Sequence, residues 1–343
     1  MLDGQRGEGM ADGRPAIELT GLTKRYRRGK GWFTAVNDVT LSVPPGQVIG
    51  LLGPNGAGKT TTIKMACGLI LPTGGTIRIN GYDVGRRRAD AVRQIGAVLE
   101  GSRNVYWPLT AWQNLMYFGR LKGLRTAEIK PRARRLLTDL GLWDRRDETV
   151  GSYSRGMQQK VAIAAALITN PPVILLDEPT IGLDVEAART VKDWIAQLAA
   201  GEGKTIVLTT HQLAIVQELA GRIAVIKDGT IIADLPTGEL LSRFAEDRFE
   251  VQVAGPLNGA AGALPTGARA EAESGTTRVL LRDADQGRLH DFLEDLRASG
   301  VPLLSVTQAQ PDLEEVFLRL IGSGASGAPP RAGEEAARAG VTP

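Results

Sequence analysis

A glycine-rich segment near residue 50 has the residue types and spacing of a phosphate-binding loop. It matches the pattern G-x-x-x-x-G-K-[ST], follows the apolar run Val48–Leu52 and precedes a stretch of helical character. The glycines let backbone N–H groups converge on phosphate oxygens, and a helix N-terminus adds partial positive charge. Lys59 would place a full charge between two phosphates, and Thr60 would offer a hydroxyl to Mg²⁺. The predicted nucleotide-binding residues of this loop are Gly53, Pro54, Asn55, Gly56, Ala57, Gly58, Lys59, Thr60 and Thr61.

A second apolar run, Val173–Leu176, ends in two adjacent carboxylates. Asp177 can hold Mg²⁺, directly or through a water molecule. Glu178 points to the other side of the strand and can accept a proton from an attacking water. The pattern alone fits equally well an ordinary strand before a turn, since Pro179 follows. The phosphate-binding loop upstream favours the functional interpretation.

These residues require a scaffold that brings distant segments together. Apolar runs with helix-like stretches between several of them predict an α/β domain with a parallel sheet covered on both faces. The runs are Val48–Leu52, Ile95–Leu99, Val173–Leu176, Ile206–Thr209 and Ile223–Ile226.

The domain organisation follows from the same patterns. Residues 15–240 form the predicted nucleotide-binding domain, in which residues 101–169 read as a helical subdomain. Residues 241–321 predict a small α+β domain. Residues 1–14 are expected to be flexible, and the Gly-, Ala- and Pro-rich residues 322–343 to be a disordered tail, because such segments bury too little apolar surface.

Composition excludes several classes of protein. The 343 residues are 43% hydrophobic and 23% charged, which is ordinary for a globular chain. No apolar run approaches the roughly 18 residues of a membrane span. One cysteine and two histidines exclude an intramolecular disulfide framework and a His/Cys metal cage, and a net charge of +3 gives no case for a nucleic-acid partner. The basic stretches at 24–30, 86–88 and 132–135 fit solvated faces or, alternatively, contacts with anionic lipid headgroups.

A third motif lies between the loop and the acidic strand and precedes an apolar helix. Its sequence, Tyr-Ser-Arg-Gly-Met-Gln-Gln-Lys over residues 153–160, resembles the signature of the ATP-binding cassette (ABC) ATPases, usually Leu-Ser-Gly-Gly-Gln. The resemblance covers about residues 16–240 and implies a P-loop NTPase fold of the ABC type. It also implies that the signature binds the ATP of an opposite subunit, with an arginine and a methionine where glycine and glutamine are usual. The signature residues are Ser154, Arg155, Gly156, Met157 and Gln158.

Four further positions take their expected roles from this resemblance. Tyr26 resembles the aromatic residue that stacks on adenine, although a surface tyrosine is an alternative. His211 resembles the switch histidine that contacts the γ-phosphate and orients the water. Asp184 resembles a dimer-contact residue and could equally serve as a helix N-cap. Glu100 stands where glutamine is usual; a carboxylate keeps an oxygen ligand for Mg²⁺, but the side chain could instead face solvent.

The resemblance implies an enzyme that hydrolyses ATP with Mg²⁺ and works as a pair of cassettes, each ATP lying between the loop of one subunit and the signature of the other. The second subunit would be another copy or a paralogue. Because the chain shows no membrane span, transport requires a separate transmembrane permease, which would hold this subunit at the cytoplasmic face of the membrane. The permease is expected near residues 101–115, where Tyr106, Trp107 and Trp112 cluster. The alternative is that these rings form the core of the helical subdomain.

The variant signature, the segment around Glu100 and the sequence Asp-Leu-Glu-Glu-Val-Phe at 312–317 resemble the subgroup that exports drugs, antibiotics, lipids or polysaccharides. The main prediction is therefore the ATP-hydrolysing subunit of an exporter. A soluble ABC ATPase acting on ribosomes or chromosomes is the alternative, disfavoured by the single cassette and the lack of a long heptad run. Glu178 and His211 argue against a regulator without turnover.

Overall fold

The computed structural model describes most of the chain in two compact units, the second beginning at Thr237. The described residues are 13–100, 104–244, 249–255, 257, 264–265, 268–273, 275–281, 286–308 and 312–322. Most of the expected flexible N-terminus and nearly all of the expected tail therefore lie outside the described residues. Among those that are described, no helix is long and apolar enough to span a bilayer.

The first unit alternates strands and helices along most of its length. Its elements are β1 (Ile17–Arg28), β2 (Gly31–Val43), β3 (Val48–Leu52), α1 (Lys59–Ala66), β4 (Gly74–Ile79), β5 (Tyr82–Asp83), α2 (Arg88–Arg93), β6 (Ile95–Val98), α3 (Ala111–Leu121), α4 (Thr126–Asp139), α5 (Arg155–Leu167), β7 (Val173–Asp177), α6 (Val185–Glu202), β8 (Thr205–Thr209), α7 (Leu213–Leu219), β9 (Arg222–Lys227) and β10 (Thr230–Pro236). Two short 3₁₀ turns, Trp143–Arg145 and Val150–Ser152, lie between α4 and α5.

A six-stranded sheet with the order β10-β9-β3-β8-β7-β6 forms the centre of this unit. Its strands are parallel except β10, which pairs antiparallel with β9. Every residue of β3, β7 and β8 is buried, which explains their continuous apolar runs, because a parallel sheet is covered on both faces. The predicted α/β fold is confirmed.

The parallel order brings distant motifs to one edge of this sheet. The carboxyl end of β3 leads into the phosphate-binding loop, and the carboxyl end of β7 carries Asp177. Parallel strands end at the same edge, so segments more than a hundred residues apart in sequence become neighbours there. A smaller antiparallel sheet, β2-β1-β4-β5, carries Tyr26 on β1.

Helices α3, α4 and α5 lie between β6 and β7 in the sequence, within the region predicted to be helical. A capping box formed by Thr110 and Gln113 begins α3. Ser154 caps the N-terminus of α5, and Asp184 that of α6, each through a side-chain oxygen that accepts a backbone N–H. The signature and the predicted dimer-contact residue Asp184 therefore each lie at the capped start of a helix.

The second unit has its own hydrophobic core. Phe292 and Leu296 of its central helix pack against Val251, Val253 and Val279 of an antiparallel sheet with the order β12-β13-β11-β14. This is the small α+β unit that the sequence predicted. Its elements are α8 (Thr237–Arg243), β11 (Phe249–Ala254), β12 (Arg269–Glu273), β13 (Thr276–Leu281), α9 (Gln286–Ala298), β14 (Leu303–Gln308) and α10 (Leu313–Gly322).

Candidate functional site

The loop between β3 and α1 leaves no room for a Cβ atom at two of its glycines. Gly58 has φ +110°, and a Cβ there would lie 2.5 Å from the carbonyl oxygen of Ala35. A Cβ on Gly53 would lie 2.2 Å from the carbonyl oxygen of Ile226. Both contacts are with backbone, which cannot move aside, so the glycines of the motif let the loop lie flat against neighbouring strands.

Lys59 is held by the loop itself. Its side chain is buried, and Nζ donates hydrogen bonds to the carbonyl oxygens of Gly53 at 2.6 Å and Pro54 at 3.1 Å. Burial lowers the pKa of Lys59, whereas the nearby carboxylates of Glu178, Asp177 and Glu100 act in the opposite direction. The ammonium is thus positioned by backbone carbonyls and surrounded by negative charge.

Asp177 has one carboxylate oxygen with donors and one without. The side chain is 1% exposed, and Oδ1 accepts hydrogen bonds from the hydroxyls of Thr209 at 2.6 Å and Thr60 at 3.4 Å. Oδ2 is buried and accepts no hydrogen bond from the described residues. A buried carboxylate oxygen without a donor is costly unless a cation satisfies it. The pair Thr60 and Asp177 therefore fits the oxygen ligands that Mg²⁺ prefers.

Glu178 is buried and points at His211. Its Oε2 accepts a hydrogen bond from the backbone N–H of His211, and its Oε1 lies 3.2 Å from Nε2 of the same residue. Burial raises the pKa of Glu178, although the nearby His211 and Lys59 act in the opposite direction. A carboxylate with a raised pKa is suited to accepting a proton.

The backbone of Glu178 also lies in an uncommon region. Its φ is +54°, the left-handed conformation that residues other than glycine seldom adopt. The backbone N–H of Glu178 donates to the carbonyl oxygen and hydroxyl of Thr209, which holds this conformation in place. Such strained residues cluster at functional sites.

A cavity of about 450 Å³ collects most of the residues predicted from the sequence. It is lined by Tyr26, Phe33, Ala35, Asn55, Gly56, Ala57, Gly58, Lys59, Thr60, Thr61, Glu100, Asp177, Glu178 and His211. Gly53 and Pro54 contribute instead through the carbonyls that bind Lys59. Glu100 is exposed to solvent and also lines the cavity, and its role as an oxygen ligand of Mg²⁺ stays a prediction.

Three residues near this cavity were missed by the sequence analysis. Phe33 pairs with Tyr26 across the β1–β2 ladder, and Ala35 follows two residues later on the same face. Thr209 binds Asp177 from the neighbouring strand β8. The position of Phe33 could have been inferred from a hairpin register, but the contact of Thr209 depends on the order of strands in the sheet.

The signature residues lie outside the cavity. Ser154 is exposed, and its Oγ accepts the backbone N–H of Met157 at 3.3 Å. Gln158 donates to the carbonyl oxygens of Val150 and Tyr153 and so fixes the turn before α5. Arg155 is exposed to solvent. None of the five signature residues lines the cavity, so this unit presents two separate surfaces.

Two small features explain residue choices near the signature. A Cβ on Gly156 would lie 2.9 Å from the Cβ of Ala187, so glycine is needed where α5 meets α6. Asp184 is exposed, and its Oδ1 accepts the backbone N–H of Ala187 at 2.7 Å. The N-cap alternative for Asp184 is therefore present in the structure, and it leaves the second carboxylate oxygen available.

Comparison with known proteins gives a consistent result. A family model described as ABC transporter matches residues 36–181. The daunorubicin/doxorubicin resistance ATP-binding protein DrrA of Streptomyces peucetius is 38% identical over 338 residues, which cover 94% of this chain and 96% of that protein. The ABC transporter ATP-binding protein NatA of Bacillus subtilis is 41% identical over 68% of this chain and 94% of that protein.

A solved structure supports the same assignment. The post-hydrolysis state of the ATP-binding cassette MJ0796, a dimer bound to ADP and Pi, is 29% identical in sequence and superimposes with a TM-score of 0.60. The matched region covers 64% of this chain and 98% of the MJ0796 chain. The similarity to DrrA extends further, because a match over 94% of the chain includes the second unit.

Proposed function

Because this chain belongs to the ABC transporter family as an ATP-binding subunit that hydrolyses ATP, we propose that it drives the export of a small molecule, drug or lipid-like compound through a separate permease. The observation that carries the proposal is the near full-length similarity to a drug-resistance ATP-binding protein. The same similarity disfavours a soluble ABC ATPase acting on ribosomes or chromosomes. The subunit would lie at the cytoplasmic face of the membrane, held there by the permease.

The residues that line the cavity would bind different parts of Mg-ATP. Backbone N–H groups of the loop and Lys59 would bind the phosphates, while Tyr26 and Phe33 would face the adenine. Thr60 and Asp177 would hold Mg²⁺, with Glu100 as a further oxygen at the same cavity. The ion, when bound, neutralises phosphate charge.

The proton of the attacking water has an acceptor in this arrangement. The water oxygen would bond to the γ-phosphorus as the bond to the bridging oxygen breaks, releasing ADP and phosphate. Glu178 would take the proton, and His211, which lies 3.2 Å from it, would orient the water. Both side chains line the cavity, within the space available to a nucleotide.

ABC ATP-binding subunits generally dimerise, and the separation of the two surfaces here supports a head-to-tail pair. In such a pair the loop, Lys59 and Glu178 of one subunit would meet Ser154 and Gly156 of the other around one ATP. Asp184 would lie at the dimer contact. The second subunit would be another copy or a paralogue, and release of phosphate would weaken the contact.

We place the permease beside α3. Tyr106 and Trp107 are 48% and 41% exposed. Trp112 is half-buried, and its ring meets that of Trp143 edge-on, with the ring centroids 6.0 Å apart. The expected aromatic cluster is thus partly open and partly core. An apolar depression of about 220 Å³ lies in the same unit, with Leu69, Leu99 and Phe118 in its lining, and it would receive an amphipathic helix of the permease.

Purification of the tagged chain from its native membranes tests the proposal. We expect a polytopic membrane protein to copurify in stoichiometric amount, and Leu69→Asp to remove it, because a carboxylate in the apolar depression would lose its hydration. The matched control is Leu304→Asp, an exposed leucine of the second unit, which should keep the partner. Ribosomal or chromosomal proteins in place of a membrane partner would overturn the exporter function.

A further inference from the structure

The end of the β1–β2 hairpin carries an unusual concentration of positive charge. The sequence from Lys24 to Trp32 contains five basic residues and no acidic one. A two-residue turn, Gly29-Lys30, joins the strands, and every residue from 25 to 33 is exposed. Trp32 in this segment is 69% exposed, the largest exposed fraction of any aromatic side chain among the described residues.

The strand register separates this hairpin into two faces. Tyr26 pairs with Phe33, and both line the nucleotide cavity. Arg27 pairs with Trp32, and Arg25 pairs with Thr34. Because successive strand residues point to opposite faces, Arg25, Arg27 and Trp32 lie on the face directed away from the cavity. The nucleotide site therefore leaves these three side chains unused.

The charges of this hairpin are not neutralised within the part of the chain that the structure describes. Arg25, Arg27, Arg28 and Lys30 form no ion pair there. Elsewhere basic side chains are commonly matched, as in the pair of Arg222 with Asp234 at 2.6 Å. We call Arg25, Arg27, Arg28, Lys30 and Trp32 the hairpin cluster.

We propose that the hairpin cluster binds the anionic headgroups of a membrane surface directly, independently of any permease. Clustered Lys and Arg side chains are attracted to anionic lipids. Tryptophan favours the membrane interface, where its ring meets apolar chains while its N–H remains in a polar layer. The cluster combines both features on one short, well-defined hairpin.

A nucleic acid offers phosphates too, but the geometry favours lipid. Binding along a nucleic-acid backbone is typical of a basic stripe or patch in a strongly basic domain, whereas this chain has a net charge of only +3. The cluster is confined to the tip of a two-stranded hairpin. The tip of a hairpin can insert into the headgroup layer of a flat membrane, so that all of its basic side chains reach the headgroups together.

Vesicle sedimentation of the purified full chain tests this inference. We expect binding to vesicles of phosphatidylcholine containing phosphatidylglycerol, weakened by high salt, and little binding to phosphatidylcholine alone. Arg25→Gln/Arg27→Gln should weaken the partition by about tenfold or more, because each basic residue near the surface contributes. Trp32→Ala should also weaken it and should lose quenching by brominated lipid. ATP hydrolysis should be unchanged, because these side chains face away from the cavity.

A charge-matched control separates local from general electrostatics. Arg120→Gln/Lys130→Gln removes two exposed charges elsewhere in the first unit, outside the basic stretches at 24–30, 86–88 and 132–135, and should leave the partition unchanged. Equal losses in both double variants, full binding by the hairpin variants, or displacement of the chain from vesicles by duplex DNA would each overturn the inference. The vesicles contain no permease, so failure here leaves the proposed export function untouched.

Discussion

At the scale of single residues, two opposing influences act on the pKa of Glu178, the proposed acceptor of the proton. Burial raises the pKa of its carboxyl, while the nearby His211 and Lys59 keep the charged form accessible. Oδ1 of Asp177, one residue earlier, instead accepts hydrogen bonds from Thr209 and Thr60, while Oδ2 has no donor among the described residues. Adjacent carboxylates in different environments can take different tasks, one toward the metal and one toward the water.

We expect Glu178→Gln to lower the rate of ATP hydrolysis by about a hundredfold or more, because an amide cannot accept the proton of the attacking water. ATP should still bind, and a nucleotide-bound dimer should accumulate. Phosphate release and size-exclusion chromatography measure the two effects. Glu186→Gln, an exposed carboxylate in the first turn of α6, is the matched control and should hydrolyse normally. Rapid turnover by Glu178→Gln would remove Glu178 as the base.

At the scale of elements, helix starts and one close helix contact determine how the signature is presented. Ser154 and Asp184 cap α5 and α6, which sets where each helix begins. Gly156 lies where α5 approaches Ala187 of α6, and a methyl group has no room there. The signature glycine thus has a packing role in addition to the phosphate contact implied by the family.

Gly156→Ala should lower the free energy of unfolding by about 1–3 kcal/mol, because the new methyl group would press against Ala187. Urea unfolding measures this change. Gly201→Ala is a suitable control, since Gly201 lies within α6 with open space around it and should gain up to about 1 kcal/mol from higher helix propensity. Unchanged stability of Gly156→Ala would show that α5 and α6 can separate at little cost.

At the scale of the whole molecule, the two proposed halves of the nucleotide site lie on separate surfaces of one chain. The loop, Asp177 and Glu178 line the cavity, and Ser154 does not. A head-to-tail pair would complete both sites at once. The residues of both proposed halves belong to the first unit, whereas the second unit has its own core of Val251, Phe292 and their neighbours.

Mixing two defective chains tests the head-to-tail pair. Lys59→Ala keeps an intact signature, and Ser154→Arg keeps an intact loop, so each alone should be nearly inactive. A mixture should recover about a quarter of normal hydrolysis if the chains pair at random, because half of the pairs then contain one complete site. In the control, the double variant Lys59→Ala/Ser154→Arg is mixed with either single variant. This mixture should recover no hydrolysis, because none of its pairs contains a complete site. Absence of recovery in the first mixture would contradict a homodimer.

The loop, the acidic strand and the α/β fold were all readable from the sequence, because each depends on residues that are close together in the chain. The glycines and Lys59 lie within eight residues of one another, from Gly53 to Thr60. Continuous apolar runs sufficed to predict the buried parallel strands. The roles assigned to the signature and His211 came from family resemblance and stay predictions.

Only the tertiary structure decided which distant groups meet. Thr60 bonds Asp177 across 117 positions of sequence, and Thr209 does so from a neighbouring strand, so the orphaned Oδ2 becomes visible only once the strand order is known. The register of β1 and β2 likewise placed Phe33 at the cavity and Trp32 on the opposite face. Local sequence specifies which groups a segment offers, whereas packing between segments determines which of those groups are buried, paired or left open.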